Sequence, residues 1–491
     1  MIKYILFFLT LFCFIPNSYT QNEILELPVD YQSTYFDGKE SLAISNNKTG
    51  ELILFVEDYN FSKAYLLNSN FEVVSELIFQ SLPSTFKNFI GSQINDNGTY
   101  SILFTNTSKK KYGELNLDFS NKKGVINELE FKLKKEVYVE SVSFEGDFYM
   151  ISATKKSNNV NFYGYKDNMF FKRKTISFDF LESVSINGNT KRAYNHLVSK
   201  GLGSFGSLVK MDINTPNAIE VTSKPNKLYI IKNQFVFTFD DSKKKTKVAV
   251  IDPKTFKLEV LEFKKPSIGQ TEFINHNSYL YDDKIFQIKS SSSSLKFTIK
   301  DFESNTLLKE ITLKKEDSIT FKNTPIIQEG PAFIAGRRTR EMEKTSKFLR
   351  KVSSGDIGIS VYKQKGNYKI TLGSKVEIRN AGFSPMGGVP LGGFGSVAVT
   401  FNPTFFAYGG YSSSKSTHID CLFDNDFKHV IGEVSENVFD RIKNFEKAFD
   451  KKYKKLSVQL KLKNVFRHRG KLYFSYLNTK DKNYHLVEFL D

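Results

Sequence analysis

The chain has 491 residues, of which 14% are aromatic, with 47 Phe, 24 Tyr and no Trp, a composition that favours strands. Only two cysteines are present, and Cys13 lies in an N-terminal apolar run, so once that run is removed Cys421 has no partner and no disulfide can staple the fold. The formal charge is +17, but the excess is mostly lysine in clusters dispersed along the chain, Lys109–Lys111, Lys122–Lys123, Lys155–Lys156 and Lys243–Lys245, which reads as turn-tip solubility and edge protection and not as a nucleic-acid site.

Met1–Thr20 has the order of a secretory leader: a positive Lys3, an apolar core from Tyr4 to Ile15, then polar Pro16–Thr20 with small Ser18 and Thr20. Cleavage is expected before Gln21. The apolar run is short for a membrane span, and Phe12 stands where lipid attachment to Cys13 would need a small residue. No other segment is apolar for long enough to form a transmembrane helix, so membrane contact is expected to be peripheral at most. The expected location is outside the cytoplasm: the periplasm, the cell surface or the medium. Export without disulfides fits a bacterial envelope.

After the leader a single unit recurs: an apolar-alternating run, a polar turn, a second run, a turn carrying Asp or Asn, and a third run of Val, Ile, Leu and Phe. In Leu228–Phe263, turns at Lys232–Gln234, Asp240–Lys245 and Asp252–Thr255 separate four strands, as in an antiparallel meander. Leu52–Phe79, Tyr100–Leu133, Phe148–Phe178 and Tyr279–Leu313 repeat the scheme. A four-stranded meander returning every 45 to 50 residues or so predicts an all-β fold, a β-propeller of about seven blades in one domain over residues 21–491. Radial stacking would cover the sheet faces that one meander leaves bare; two separate sandwiches are the alternative arrangement of such strands. The ends of the chain favour the ring. Lys471–Leu490 reads as strands that stop short of an outer one, and Ile24–Val29 resembles the outer strands, so the two ends are expected to close one blade.

Three stretches break the rhythm. Asn187–Gly206 reads as a short helical or irregular insert. Phe333–Val352 is basic and helix-compatible and carries Arg337, Arg338 and Arg340. From Glu436 to Lys455, Val438, Ile442, Phe445 and Phe449 recur at helical spacing, predicting an amphipathic helix. Between the last two, Gly382–Gly395 reads GFSPMGGVPLGGFG, which cannot hold a regular element and is expected to form a flap presenting apolar side chains. Phe383, Met386, Leu391 and Phe394 of this flap, with Arg337, Arg338 and Arg340, are the candidate binding residues.

Catalytic signatures are scarce. His196, His276, His418, His429, His468 and His485 show no metal-ligand spacing, and on a strand His418 and Cys421 face opposite ways, which makes Cys421 a small core residue. Gly201–Gly206 matches GxGxxG without the strand and helix a dinucleotide site needs. The acidic pairs Asp240-Asp241, Asp282-Asp283 and Asp424-Asp426 fall at turns, where Asp serves the backbone. No cofactor or metal is expected. The sequence therefore points to a non-catalytic binding or scaffold protein of the envelope, recognising a polysaccharide or an envelope protein. The alternative is a carbohydrate-active hydrolase or lyase whose carboxylates converge from different blades at the central channel. A third reading is a polyanion or membrane-surface binder using Arg337–Lys351 and Lys451–Lys455.

Overall fold

The computed structural model describes residues 22–29, 41–57, 61–86, 88–184, 188–198, 208–269, 274–329, 339–375, 402–412, 416–453 and 458–490. They form a β-propeller. Among them are seven sheets of four or five strands and one two-stranded ribbon, Ser183–Val184 with Thr190–Lys191. Counted from the axis outward, sheet I holds Ser41–Asn46, Glu51–Glu57, Phe61–Leu67 and Val73–Gln80. Sheet II holds Asn88–Ile94, Tyr100–Thr105, Tyr112–Asp118 and Lys123–Leu129, and sheet III holds Glu136–Phe144, Asp147–Thr154, Asn159–Lys166 and Met169–Ser177. Sheet IV holds Asn226–Ile231, Gln234–Phe239, Lys245–Ile251 and Leu258–Lys264, and sheet V holds Asn275–Tyr281, Lys284–Ser290, Ser294–Asp301 and Leu307–Lys314. These five are antiparallel meanders in chain order.

The local sequence explains why these strands form and where they stop. The second and third strands are buried on both faces, as in Leu52–Val56 and Ile102–Phe104, because each is covered by the sheets before and after it. The turns carry residues that tolerate a left-handed backbone. Asp167-Asn168, Lys232-Asn233 and Asp282-Asp283 have both φ angles positive, as do Glu145-Gly146, Lys365-Gly366 and Arg469-Gly470. This is the conformation that two-residue hairpins with right-twisted strands require.

The ring closes through its two ends. Sheet VII holds Leu460–His468, Lys471–Asn478 and Asn483–Phe489, and its outer strand is Asn22–Pro28 from the start of the chain. Asn22 lies opposite Glu488 and Pro28 opposite Asn483. Proline is tolerated there because the strand is at a sheet edge.

Sheet VI departs from the simple meander. Its order is Asp356–Gln364, Asn367–Lys375, Ser416–Phe423, Ile326–Glu329 and Thr339–Met342, so the two outer strands precede the inner three in the chain. Cys421 lies in the core that this sheet shares with sheets IV and V, where burial holds its thiol well above the ordinary value.

Five α-helices lie on or between the sheets among the described residues: α1 (Ala193–Leu197), α2 (Ile219–Thr222), α3 (Thr345–Ser354), α4 (Pro403–Ser412) and α5 (Val438–Tyr453). In α3 the buried face is Phe348, Leu349 and Val352; in α5 it is Val438, Phe439 and Ile442. With α4, α5 builds a core against Val465, Phe474 and Phe489 of sheet VII.

The axis of the ring is occupied by the chain itself. Leu208–Met211 adds to sheet IV on its inner side, parallel to Asn226–Ile231, and α2 makes the crossover between them. From there Lys210 Nζ donates to Ser141 O of sheet III at 2.8 Å, and Asp212 accepts from Thr404 Oγ1 of α4 at 2.7 Å. Helix α2 packs on the innermost strand of sheet VI, where Gly358 allows it: a Cβ there would lie 2.7 Å from Thr222 Oγ1 and 3.1 Å from Ile219 O.

Candidate functional site

Between sheets II and III, at the end where their first and second strands are joined, lies a cleft of about 420 Å³, within the range of small-molecule sites. Three turns and an outer strand supply its lining: Asn95–Asn97, Asp147, Lys166–Asn168, and Phe171 with Arg173. The Asn95 turn is fixed by its own side chains, Thr99 N–H donating to Asn97 Oδ1 at 3.1 Å while Gly98 takes the left-handed conformation.

A polar chain runs inward from that turn. Asn95 Nδ2 donates to Ser101 Oγ at 2.8 Å, and Ser101 Oγ donates to Glu114 Oε1 at 2.5 Å. Asn127 Nδ2 reaches the other carboxylate oxygen at 3.3 Å. Glu114 is fully buried, so these donors are what make its burial tolerable. Its third neighbour, Asn116 Nδ2 at 3.5 Å, lines the cleft. Tyr165 lies beside it, and burial, then the Glu114 charge, pushes its phenol far above the ordinary range.

The opposite wall is built around Arg173. Its guanidinium sits 4.7 Å from the Tyr149 ring centre and 5.3 Å from that of Phe171, with Asp147 Oδ1 at 3.8 Å. Gly164 leaves room for this stack, since a Cβ there would lie 2.3 Å from Arg173 Nε and 2.7 Å from Phe171 Cζ. Gln93 ties the wall to sheet II: its Nε2 donates to Asp147 Oδ1 at 3.1 Å and its Oε1 accepts from Phe148 N–H at 2.8 Å. Lys166 and Asp96 bridge the two sheets at 3.1 Å, and Asp96 raises the lysine's affinity for its proton by hydrogen bonding and then by charge.

Each cation of the cleft thus has its own carboxylate. What faces a ligand is a set of amides and carboxylates, able to donate and accept, beside the 42% exposed Phe171 ring. That surface matches the hydroxyls and C–H faces of a polyol better than it matches an anion.

A second buried set joins sheets IV and V. Asp240 accepts from Lys265 Nζ at 2.9 Å, Ser278 Oγ at 2.6 Å and Thr246 Oγ1 at 2.8 Å, with Lys227 Nζ at 3.7 Å. Burial pushes Lys227 down to about 8, and burial with the Lys265 charge pushes His276 down to about 4. All three charged side chains of Lys227, Asp240 and Lys265 are inaccessible to solvent, so this set joins sheets and does not meet a substrate.

Among the described residues, one group of metal-ligating side chains lies together, Glu23, Glu26 and His485, with ligand atoms within 4.8 Å of one another. Both ring nitrogens of His485 already face carboxylates, Glu23 at 2.5 Å and Asp481 at 3.3 Å. The arrangement serves an imidazolium, not a metal-bound neutral ring.

Of the residues singled out from sequence, Phe383, Met386, Leu391, Phe394, Arg337 and Arg338 lie outside the described residues, as do the leader and Gly201–Gly206. Arg340 is exposed on the edge strand of sheet VI, opposite Gln328, and is not part of the cleft. The cleft residues escaped sequence reasoning because Asn95–Asn97 and Lys166–Asn168 look like ordinary turn residues. The one local signal is the alternation of Phe171 and Arg173 on an outer strand.

No protein-family model matches the sequence and no curated protein is similar to it. Among solved structures, the chain is similar to the Dos1 propeller (8% identity, TM-score 0.27, covering 92% of this chain and 82% of that one). It is also similar to the WD40 domain of SCAP from fission yeast (12% identity, TM-score 0.26, covering 92% and 82%). A third is a putative 6-phosphogluconolactonase from Bacteroides fragilis (9% identity, TM-score 0.26, covering 55% and 69%). Likenesses this distant carry no argument about chemistry, and the fold rests on the sheet order and the closing strand.

Proposed function

We propose that the protein is a non-catalytic binding module that recognises an uncharged saccharide in the cleft between sheets II and III. The observation that carries this reading is the pairing of an exposed aromatic face, Phe171 braced by Arg173, with amides and carboxylates already oriented by a buried network. A sugar ring presents an apolar face and equatorial hydroxyls, and such a surface contacts both at once. Because Lys166 and Arg173 are each paired with a carboxylate, the cleft does not call for an anionic ligand.

The proposed setting is outside the cytoplasm of a bacterium, supported by the charged, apolar, polar order of Met1–Thr20 and by a chain without a second cysteine after it. The test is a screen of neutral oligosaccharides against the purified protein, with product analysis in the same wells. Binding without product, lost in F171A, supports the reading. Depolymerised product would replace it with the hydrolase or lyase alternative, and binding unaffected by F171A would remove the cleft from it.

A further inference from the structure

We propose that the end of the ring opposite the cleft is a docking face for an anionic polysaccharide. A meander turns alternately at the two ends of its sheet, so the second-to-third strand turns and the connections between sheets fall at the end away from the cleft. Contacts between neighbouring sheets show that their ends agree. At the cleft end Lys166 meets Asp96, Lys232 meets Asp283 at 2.7 Å, Lys363 meets Asp282 at 3.0 Å, and Arg469 donates to Ser69 O at 2.9 Å. At the far end Lys289 donates to Lys243 O at 3.0 Å, and Lys109 Nζ lies 4.3 Å from the Tyr138 ring centre.

In this frame, clusters that are dispersed in sequence converge. Lys109–Lys111 of sheet II, Lys155–Lys156 of sheet III and Lys243–Lys245 of sheet IV all occupy second-to-third strand turns, and Lys134, Lys135, Lys314 and Lys315 lie in the adjoining connections. The cleft end carries aspartates at its turns, Asp96, Asp167, Asp252, Asp282 and Asp301 among them, and of its single lysines Lys166, Lys232, Lys284 and Lys363 each lie against one of its aspartates. Of the clusters, Lys122–Lys123 alone sits at the cleft end. Single lysines stand on outer strands, Lys172, Lys174 and Lys309 among them, and at both ends, as edge protection would have it; the gathering of the runs at one end is what edge protection does not explain.

Acidic groups at the lysine end are largely engaged already. Asp240 is buried between Lys227 and Lys265, Asp241 holds His196 at 2.5 Å and Lys191 at 3.3 Å, and Asp481 faces His485. Lys111 shares Glu128 at 3.5 Å and Lys245 pairs with Glu262 at 2.6 Å. Two partly buried groups sense these neighbours: after burial, the charges of Lys265 and Lys243 lower Lys289, and His276 is lowered by Lys265 and, less, by Lys289 and Lys243, with Asp240 opposing.

The partner is read from the kind of cation and from its surroundings. Ammonium groups on flexible stems, spread over three sheets, suit charges repeated along a polymer and lack the planar fork that fits a single phosphate. Among the described residues, no exposed aromatic ring stands at these turns and connections, and the exposed large apolar side chain there is Val184, on the ribbon between sheets III and IV, so this end offers no platform for bases and little for a bilayer to bury.

The experiment titrates the purified protein with polygalacturonate, dextran sulfate, neutral dextran, phosphatidylglycerol vesicles and duplex DNA at about 50 and 200 mM salt, a range over which multivalent ionic binding changes strongly. The two acidic polysaccharides should bind and neutral dextran should not. Combining K110Q/K111Q, K155Q/K156Q and K243Q/K244Q should weaken that binding by about tenfold or more and flatten its salt dependence. The matched pair K122Q/K123Q removes the same charge as any one of those pairs but from the other end, and should leave binding unchanged; these side chains are exposed or partly exposed, so melting curves should also be unchanged. The proposal is overturned if K122Q/K123Q weakens binding as much as each far-end pair, if no acidic polysaccharide binds, or if vesicles or DNA bind more tightly than the polysaccharides. R173A, in the cleft, should not alter this binding, which separates this test from that of the neutral saccharide.

Discussion

His485 and Glu23, separated by 462 positions in the chain, hydrogen-bond at 2.5 Å across the seam that closes the ring. The ladder slips one residue between Glu23 and Leu25, and such a bulge re-aims a side chain; here Glu23 meets the imidazole while Asp481 approaches its other nitrogen. Burial disfavours the charged ring, but the hydrogen bonds and charges of Glu23 and Asp481 outweigh it, and the imidazolium is held above the ordinary value. A raised folded value contributes stability in full below the unfolded value of about 6.5 and loses it as pH rises through the folded one. Wild type should therefore melt above E23Q at about pH 6, with the gap closing toward alkaline pH. Because Glu23 is 54% exposed, the gap should be no more than about 1 kcal/mol.

Removing Asp240 should be far more costly. D240A leaves Lys227 and Lys265 buried without their carboxylate, and breaking a buried pair in this way costs about 3–5 kcal/mol. S278A removes one donor to the same carboxylate and should cost about 1 kcal/mol. Urea midpoints of the two variants, at an unchanged denaturant slope, would check the order.

Two glycines separate close approach from backbone conformation. G358A drives a Cβ toward Thr222 Oγ1 and the Ser223 N–H, so the crossover helix must shift, at about 1–3 kcal/mol for an overpacked site. G366A meets nothing within 4 Å but has φ +81°, and should cost about 1 kcal/mol through the left-handed backbone alone. Chemical denaturation would show whether G358A is the worse of the two.

In the cleft, R173K keeps a cation near Asp147 but loses the flat guanidinium between Tyr149 and Phe171. Saccharide affinity should fall by about tenfold, as expected when a stacked planar group is replaced by a point charge. G164A should imitate that loss by pushing Arg173 and Phe171 out of place. Titration calorimetry with the oligosaccharide found in the screen would measure both.

The meanders were legible because their turns announce themselves: Lys232–Gln234 and Asp252–Thr255 fall where the sequence puts them, and so do both partners of the closing strand. The axial crossover was not. Ser207–Ile213 reads as a strand, yet nothing local shows that Leu208–Met211 pairs in parallel on the inner side of sheet IV, because the reason lies in Gly358, well over a hundred residues away. The swapped order of sheet VI is hidden for the same reason. The cleft was illegible because turn residues look alike whether they end a hairpin or line a pocket; only the neighbouring sheet decides. The lysine clusters looked scattered since periodicity along the chain does not show at which end of a sheet a turn falls.

The closing strand has a last consequence, for the order in which the molecule can be completed. Phe489 ends one strand beside the residue that begins the next, Asn22, so the final sheet is a hairpin whose connecting turn has been cut and whose halves are more than 450 positions apart, Glu23 and His485 by 462. During synthesis its outer strand emerges well before its partner, and the early strand waits as an unpaired edge while the six other sheets between them are made. A circular permutant that rejoins Leu490 to Asn22 by a short turn, and opens the ring at an exposed loop elsewhere, would keep the native contacts while turning the longest-range pairing in the molecule into a local one, and should fold faster for that reason.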